Sequence, residues 1–155
     1  MKRKLAIIDT SWLCVYLSVP GKEACTGEVS LSTDEAKQTW EEKEKEGFRF
    51  VLPLTTVIET GNHIAQAPRK RREVATTFVK DIVLEASKAK TPWIVFSQQL
   101  DNWQPDQMSW LKEWPDYAEA KLSIGDMAIK QVADFYSKLG YEVEIFTCDE
   151  GLKAH

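Results

Sequence analysis

"KLAIIDTSWLCVYL" (residues 4–17) decides how the rest of the chain is read. Leu5, Ala6, Ile7 and Ile8 form a short continuous apolar run that stops at Asp9, and "TSWLCVYL" (residues 10–17) is a second apolar run of helical length. Strand followed at once by helix is the start of a βα unit. An apolar strand end seldom carries a charge unless that charge is paired or binds a metal, so Asp9 is the first candidate for chemistry.

The same alternation continues along the chain. Residues 20–47 are polar and highly charged, with good helix formers in their second half, and predict a loop followed by a solvated helix. "FRFVLPL" (residues 48–54) is strand-like up to Pro53, which suits a strand end or a helix entrance. "TTVIETGNHIAQ" (residues 55–66) predicts a helix with Val57, Gly61, Ile64 and Ala65 on one face and Glu59, Asn62, His63 and Gln66 on the other. Beyond Pro68, residues 69–90 predict a long amphipathic helix with a basic start and an apolar stripe of Val74, Phe78, Ile82 and Ala86. "PWIVFS" (residues 92–97) is a further buried-strand candidate. Residues 98–121, with Pro105, Pro115, Trp103, Trp110 and Trp114, read as irregular with one short helix. "SIGDMAIKQVADFYSKLG" (residues 123–140) predicts a helix with Ile129, Val132, Ala133, Tyr136 and Leu139 at core spacing and a stop at Gly140. "YEVEIFT" (residues 141–147) returns to the period of a strand. Strands alternating with helices, without internal repeats, predict one α/β domain over residues 1–155: a three-layer α/β/α arrangement around a central, mostly parallel sheet.

Composition sets the outer limits. With 155 residues, 43% of them hydrophobic, and a formal net charge of −4, the chain suits one domain with a substantial core. No apolar run approaches the ~18 residues that span a bilayer. "MKRKLAIID" (residues 1–9) is too short and too acid-terminated for a signal peptide, so a cytoplasmic protein without membrane attachment is expected. Cys14, Cys25 and Cys148 are odd in number, widely spaced and without a CxxC pair, which predicts reduced thiols rather than disulfides or a zinc site. The mild acidity argues against a general nucleic-acid coating protein and leaves a local basic patch open.

In parallel sheets, sites form beyond the carboxyl ends of the strands. Asp9 ends the first predicted strand and Asp149 follows the last, while Glu59 and Asp126 begin helices that can start from the same edge. Each has a simpler reading. Thr56-x-x-Glu59, Ser123-x-x-Asp126 and Thr147-x-x-Glu150 all have the form of capping boxes, worth about 1 kcal/mol each, and Asp149 is favourable near a helix N-terminus. Taken together, four converging carboxylates repel one another unless a cation neutralises them. An all-oxygen donor set suits Mg²⁺ or Mn²⁺, and such a site supports phosphodiester hydrolysis.

"IIDTSWL" (residues 7–13), "PLTTVIETGNHIA" (53–65), "SIGDMAIKQVADFYSKLG" (123–140) and "EIFTCDEGL" (144–152) together resemble the PIN-domain ribonucleases in order and spacing over nearly the whole chain. The resemblance implies a PIN-like fold and a Mg²⁺- or Mn²⁺-dependent site that cleaves RNA, with Asp9, Glu59, Asp126 and Asp149 as its acids and metal ligands. It implies supporting roles for Ser11 and Thr147, whose hydroxyls position water or a carboxylate. Because small members are often VapC-type toxins, it also implies an antitoxin protein as partner and a homodimer. With the chain read to His155, the strand bearing Asp149 is expected near an open sheet edge, covered by a partner or a second copy.

Secondary candidates follow. His63 lies one helical turn from Glu59 and either orients substrate or binds a phosphate, or is a surface histidine. Arg69, Lys70, Arg71 and Arg72 are candidates for RNA phosphates or an acidic partner, against a merely solvated helix start. Trp103, Trp110 and Trp114 either stack on unpaired bases or pack against the domain's own sheet. Lys121, Lys130 and Lys153 are candidate phosphate contacts. Two further functional classes fit the same residues: a catalytically inactive PIN-like binding subunit of an RNA-processing or defence complex, and a nuclease acting on structured DNA.

Overall fold

The computed structural model describes residues 2–25, 27, 29–88, 90–94 and 96–153. Its centre is β1 (Lys4–Ile8), flanked by β2 (Arg49–Val51) and β3 (Glu142–Phe146) in the order β2-β1-β3, with both neighbours parallel to it. Parallel neighbours require crossovers, and helices supply them. α1 (Thr10–Tyr16) and α2 (Thr33–Lys45) lead from β1 to β2. α3 (Leu54–Gln66), α4 (Arg71–Thr77), a π-helical segment (Phe78–Val83), α5 (Leu84–Ser87), two 3-10 segments (Phe96–Trp103 and Pro105–Lys112), α6 (Trp114–Glu119) and α7 (Ile124–Lys138) lead to β3, and α8 (Glu150–Lys153) follows it. Among the described residues no helix is long and apolar enough to cross a membrane.

The unbroken apolar run of β1 is explained by its neighbours. Leu5 through Ile8 are wholly buried, with Ala6 and Ile8 entering a core shared with Leu13, Phe50 and Phe146, and Leu5 and Ile7 entering another shared with Val51, Ile129, Val132 and Tyr136. Successive strand residues point to opposite faces, so this division means that helices cover both sides of the sheet. The α/β expectation is met at that level: a mixed α/β fold on a three-stranded, all-parallel, open sheet.

The stripe Val74, Phe78, Ile82, Ala86 is buried as the spacing predicts. A strict four-residue step drifts about 40° per step in an α-helix of 3.6 residues per turn. The six-residue π segment between α4 and α5 is wider per turn and brings the stripe back toward the core.

Other expectations are corrected. "PWIVFS" is not a full strand: Trp93 makes an isolated parallel bridge with Phe50, a 3-10 segment starts at Phe96, and Val95 lies outside the described residues. The buried Gln99 takes the place of a neighbouring strand beyond β2, its amide donating to the Leu52 carbonyl (2.8 Å) and accepting from the Leu54 N–H (3.1 Å). Residues 98–121 are largely helical rather than irregular. Their tryptophans pack on one another and on Met127 and Ala128 of α7, not on the sheet, and the Trp110 and Trp114 indoles donate to the Asn102 and Leu122 carbonyls. On α3 the buried positions are Thr56, Thr60 and Ile64, while Ala65 is exposed. The hydroxyl of Thr56 donates to the Ile8 carbonyl (2.8 Å), which turns a polar residue toward the sheet. Leu139 is exposed because it caps α7, and Gly140 follows with the positive φ of a helix stop.

Ile82→Ala is expected to cost about 2–5 kcal/mol by emptying the buried stripe, whereas Val79→Ala, at a position 47% exposed, should stay within roughly 0.5 kcal/mol. Urea denaturation of both variants measures the difference; equal losses would contradict the orientation of the π segment.

Candidate functional site

Because β1 and β3 are parallel and in register, they end on the same side of the sheet, with Ile8 beside Phe146. The next residues are Asp9 and Thr147, and the Asp9 N–H donates to the Phe146 carbonyl (2.9 Å). Asp9 is only 6% exposed, and its Oδ2 accepts from the hydroxyls of Thr147 (2.7 Å) and Ser11 (2.9 Å). Those hydroxyls are themselves held: Ser11 Oγ accepts from the Cys148 N–H (2.9 Å), and Thr147 Oγ1 from the Asp149 N–H (3.0 Å). Each hydroxyl therefore carries a proton to Asp9 while a backbone amide fixes its oxygen. The network keeps a buried carboxylate in one orientation and ties the end of β3 to that of β1.

Glu59 comes from α3. Thr56 is not the cap of that helix; Pro53 stands at the N-cap, and the expected Thr56–Glu59 capping box gives way to the Thr56 bond with Ile8. Glu59 is thereby free of a capping role, and its Oε2 accepts from Thr10 Oγ1 (3.2 Å). Its carboxylate lies against Gly125 at the start of α7, where any Cβ would run into it. Asp126 follows, its N–H donating to Ser123 Oγ (3.0 Å), so the serine caps α7 as its spacing predicts.

Asp9, Glu59 and Asp126 line one cavity of about 320 Å³ together with Ser11, His63 and Lys22. Burial raises the Glu59 carboxyl above its usual range, with the charges of Asp9 and Asp126 adding and the Thr10 hydroxyl opposing. Burial likewise raises Asp126, with Asp9 and Asp149 adding and Ser123 opposing. His63 is lowered by burial and by Lys22. Asp149 stands outside the lining and is exposed; its Oδ1 accepts from the Gly151 N–H (2.8 Å) at the start of α8. Three of the four acids thus share a cavity, and the fourth reaches it through its field. The side chain of Glu150, needed for the third capping box, lies outside the described residues.

The basic run lies elsewhere. Arg71 and Arg72 line a separate cavity of about 650 Å³ between α3 and α4, Arg71 donates to the Ala67 carbonyl (2.7 Å), and Arg69 stands 4.0 Å from Glu23. Lys70 has a positive φ and precedes α4, while Lys130 sits over the Tyr117 ring. Lys121, Lys130 and Lys153 are not among the residues lining the acid cavity; Lys22 is. Gly125 was visible in the sequence only as a small residue preceding Asp126, and Lys22 carries no local signal in its polar loop.

The expectation of three reduced thiols is overturned. Cys25 and Cys148 are joined by a disulfide, with Cα atoms 5.4 Å apart and a sequence separation of 123 residues, while Cys14 is free and buried. The pairing depends on the loop before α2 folding back to the end of β3, which cysteine spacing does not encode. Burial pushes the Cys14 thiol up to about 11, which keeps it protonated.

Carboxylate oxygens are the donor type that a hard divalent cation takes, and Asp9, Glu59 and Asp126 line one cavity. Among the described residues, no group of three or more His, Cys, Asp or Glu side chains is arranged to hold a metal ion. No family model, curated protein or solved structure matches the chain.

Glu59 and Asp126 bind protons more tightly in the folded than in the unfolded state, so they make the metal-free protein less stable as pH rises from the carboxylate range to neutrality. Asp126→Asn removes one such group. In chelator-treated protein at pH 7 it should raise the thermal midpoint by about 2–4 °C, roughly 1 kcal/mol after solvent screening, and the gain should fade by about pH 4. Circular dichroism melts test this; a lower midpoint at pH 7 would show that the carboxylate is stabilising.

Proposed function

We propose that the protein is a divalent-metal-dependent endoribonuclease with a PIN-like fold, and that Asp9, Glu59 and Asp126 form its site with Asp149 at the rim. The observation that carries this reading is the convergence of acids from three elements on one cavity, none of them in an ion pair among the described residues. The sheet order and the helices on both faces are compatible with it. Bound Mg²⁺ or Mn²⁺ would neutralise charge on the scissile phosphate and lower the pKa of an attacking water.

The chain's own residues divide the remaining work. Asp9 is the rigid member, fixed by Ser11 and Thr147. Glu59 reaches the same cavity from α3 as a second oxygen donor, and Thr10 orients its carboxylate. Asp126 presents its carboxylate from the first turn of α7. The toxin reading adds an antitoxin or a second copy as partner, for which β3, at one end of the sheet order, offers a strand edge. The run from Arg69 to Arg72, apart from the acid cavity, suits flanking phosphates or an acidic partner.

A second reading, a catalytically silent binding module, is favoured by the acids not being gathered around one point. Cleavage of single-stranded RNA and of structured DNA, each with Mn²⁺ and with chelator, separates the readings. Wild type should cleave RNA only with metal, and Asp9→Asn and Asp126→Asn should each lose at least about 100-fold in rate while remaining folded. Unchanged rates in both variants would overturn the site, preferential DNA cleavage would change the substrate, and metal-independent inertness of wild type would leave the binding module.

A further inference from the structure

Part of the wall of the acid cavity is a loop covalently tied to the end of β3. Gly21, Lys22, Ala24 and Cys25 line the cavity alongside Cys148 and the three acids. Hydrogen bonds hold this loop mainly to its own surroundings: Lys22 N–H to the Val19 carbonyl (2.8 Å), Cys25 N–H to the Leu31 carbonyl (3.1 Å), and an antiparallel bridge between Ala24 and Ser32. The Thr33 hydroxyl also donates to the Glu23 carbonyl (3.4 Å), and the covalent link to the site is the Cys25–Cys148 disulfide. Its far end sits between Thr147 and Asp149, and the Cys148 N–H donates to the same Ser11 hydroxyl that donates to Asp9.

Lys22 lines a cavity with three carboxylates and yet forms no ion pair with them among the described residues. A lysine so placed is available to a ligand that brings its own negative charge. The metal-dependent reading of the cavity supplies the class of that ligand, a nucleic-acid phosphodiester, and the inference rests on that reading. We propose that Lys22 is the phosphate contact of the acid cavity and that the Cys25–Cys148 disulfide holds it there, so that substrate binding depends on the redox state of this bond.

The bond is chemically reachable. Cys25 and Cys148 are both partly exposed, whereas Cys14 is buried. A dithiol reductant closes into its own disulfide and passes two electrons and two protons to the protein, so that the Cys25–Cys148 bond breaks and leaves two thiols. Lys22, three positions before Cys25, then loses the covalent tie between its loop and β3. The carboxylates and the hydroxyls of Ser11 and Thr147 carry no sulfur, so reduction changes none of them chemically.

Fluorescence anisotropy of a labelled, 2′-O-methylated single-stranded oligonucleotide in Mg²⁺, with wild type, Lys22→Ala, Lys22→Arg and Cys25→Ser before and after dithiol treatment, tests the proposal. Lys22→Ala and dithiol treatment of wild type should each weaken binding by about two- to fivefold, the upper part of the range of a single screened charge contact. The two effects should not multiply, Lys22→Arg should retain affinity, and Cys25→Ser should bind like reduced wild type and ignore dithiol. In RNA cleavage, KM should rise by more than kcat falls. Wild-type affinity in Lys22→Ala, insensitivity of wild type to dithiol, or multiplying losses would overturn the proposal. Lys22-dependent binding by a wild type that cleaves nothing would support the phosphate contact and remove the nuclease reading, whereas cleavage that ignores both Lys22 and dithiol would remove this inference alone.

Discussion

A carboxylate buried at the end of the central strand needs its charge met by hydrogen bonds, or it destabilises the fold. Asp9 meets that need with the hydroxyls of Ser11 and Thr147, and the oxygens of those hydroxyls are occupied by the amides of Cys148 and Asp149. The arrangement works only if β1 and β3 end together, which the pairing of Ile8 with Phe146 ensures. Sheet register, the first turn of α1 and the turn after β3 are therefore parts of one constraint. Asp149 and Cys148 owe their placement to it.

The other acids join this centre through packing. α3 is held to the end of β1 by the Thr56 bond to Ile8, and α7 is held to the sheet by Ile129, Val132 and Tyr136. Gly125 lets the Glu59 carboxylate lie against the start of α7. Apolar burial on both faces of the sheet thus opposes the mutual repulsion of the acids, while removal of the Glu59 and Asp126 carboxyls from water raises both, with neighbouring acids adding. Such opposition is expected where carboxylates serve binding or catalysis rather than stability.

Much of this was legible because it is periodic or local. The apolar run of β1, the four-residue stripe from Val74 to Ala86 and the Ser123 cap of α7 each declare themselves within a few residues. The exceptions depend on partners distant in sequence. Thr56 turns toward the core because a carbonyl of β1 awaits its hydroxyl, and Gln99 replaces a strand with a side-chain amide. Cys25 meets Cys148 across nearly the whole chain, and Lys22 enters the cavity on that same loop. None of these has a signature in spacing, since each is decided by where the crossovers bring the chain.

A divalent cation in the acid cavity is what the proposed chemistry requires. Anomalous scattering from crystals grown with Mn²⁺ measures this most directly. A manganese peak within the cavity, coordinated by oxygens of Asp9, Glu59 and Asp126, is the expected result; crystals at saturating Mn²⁺ with the cavity empty, or with manganese bound only elsewhere, would rule the metal site out.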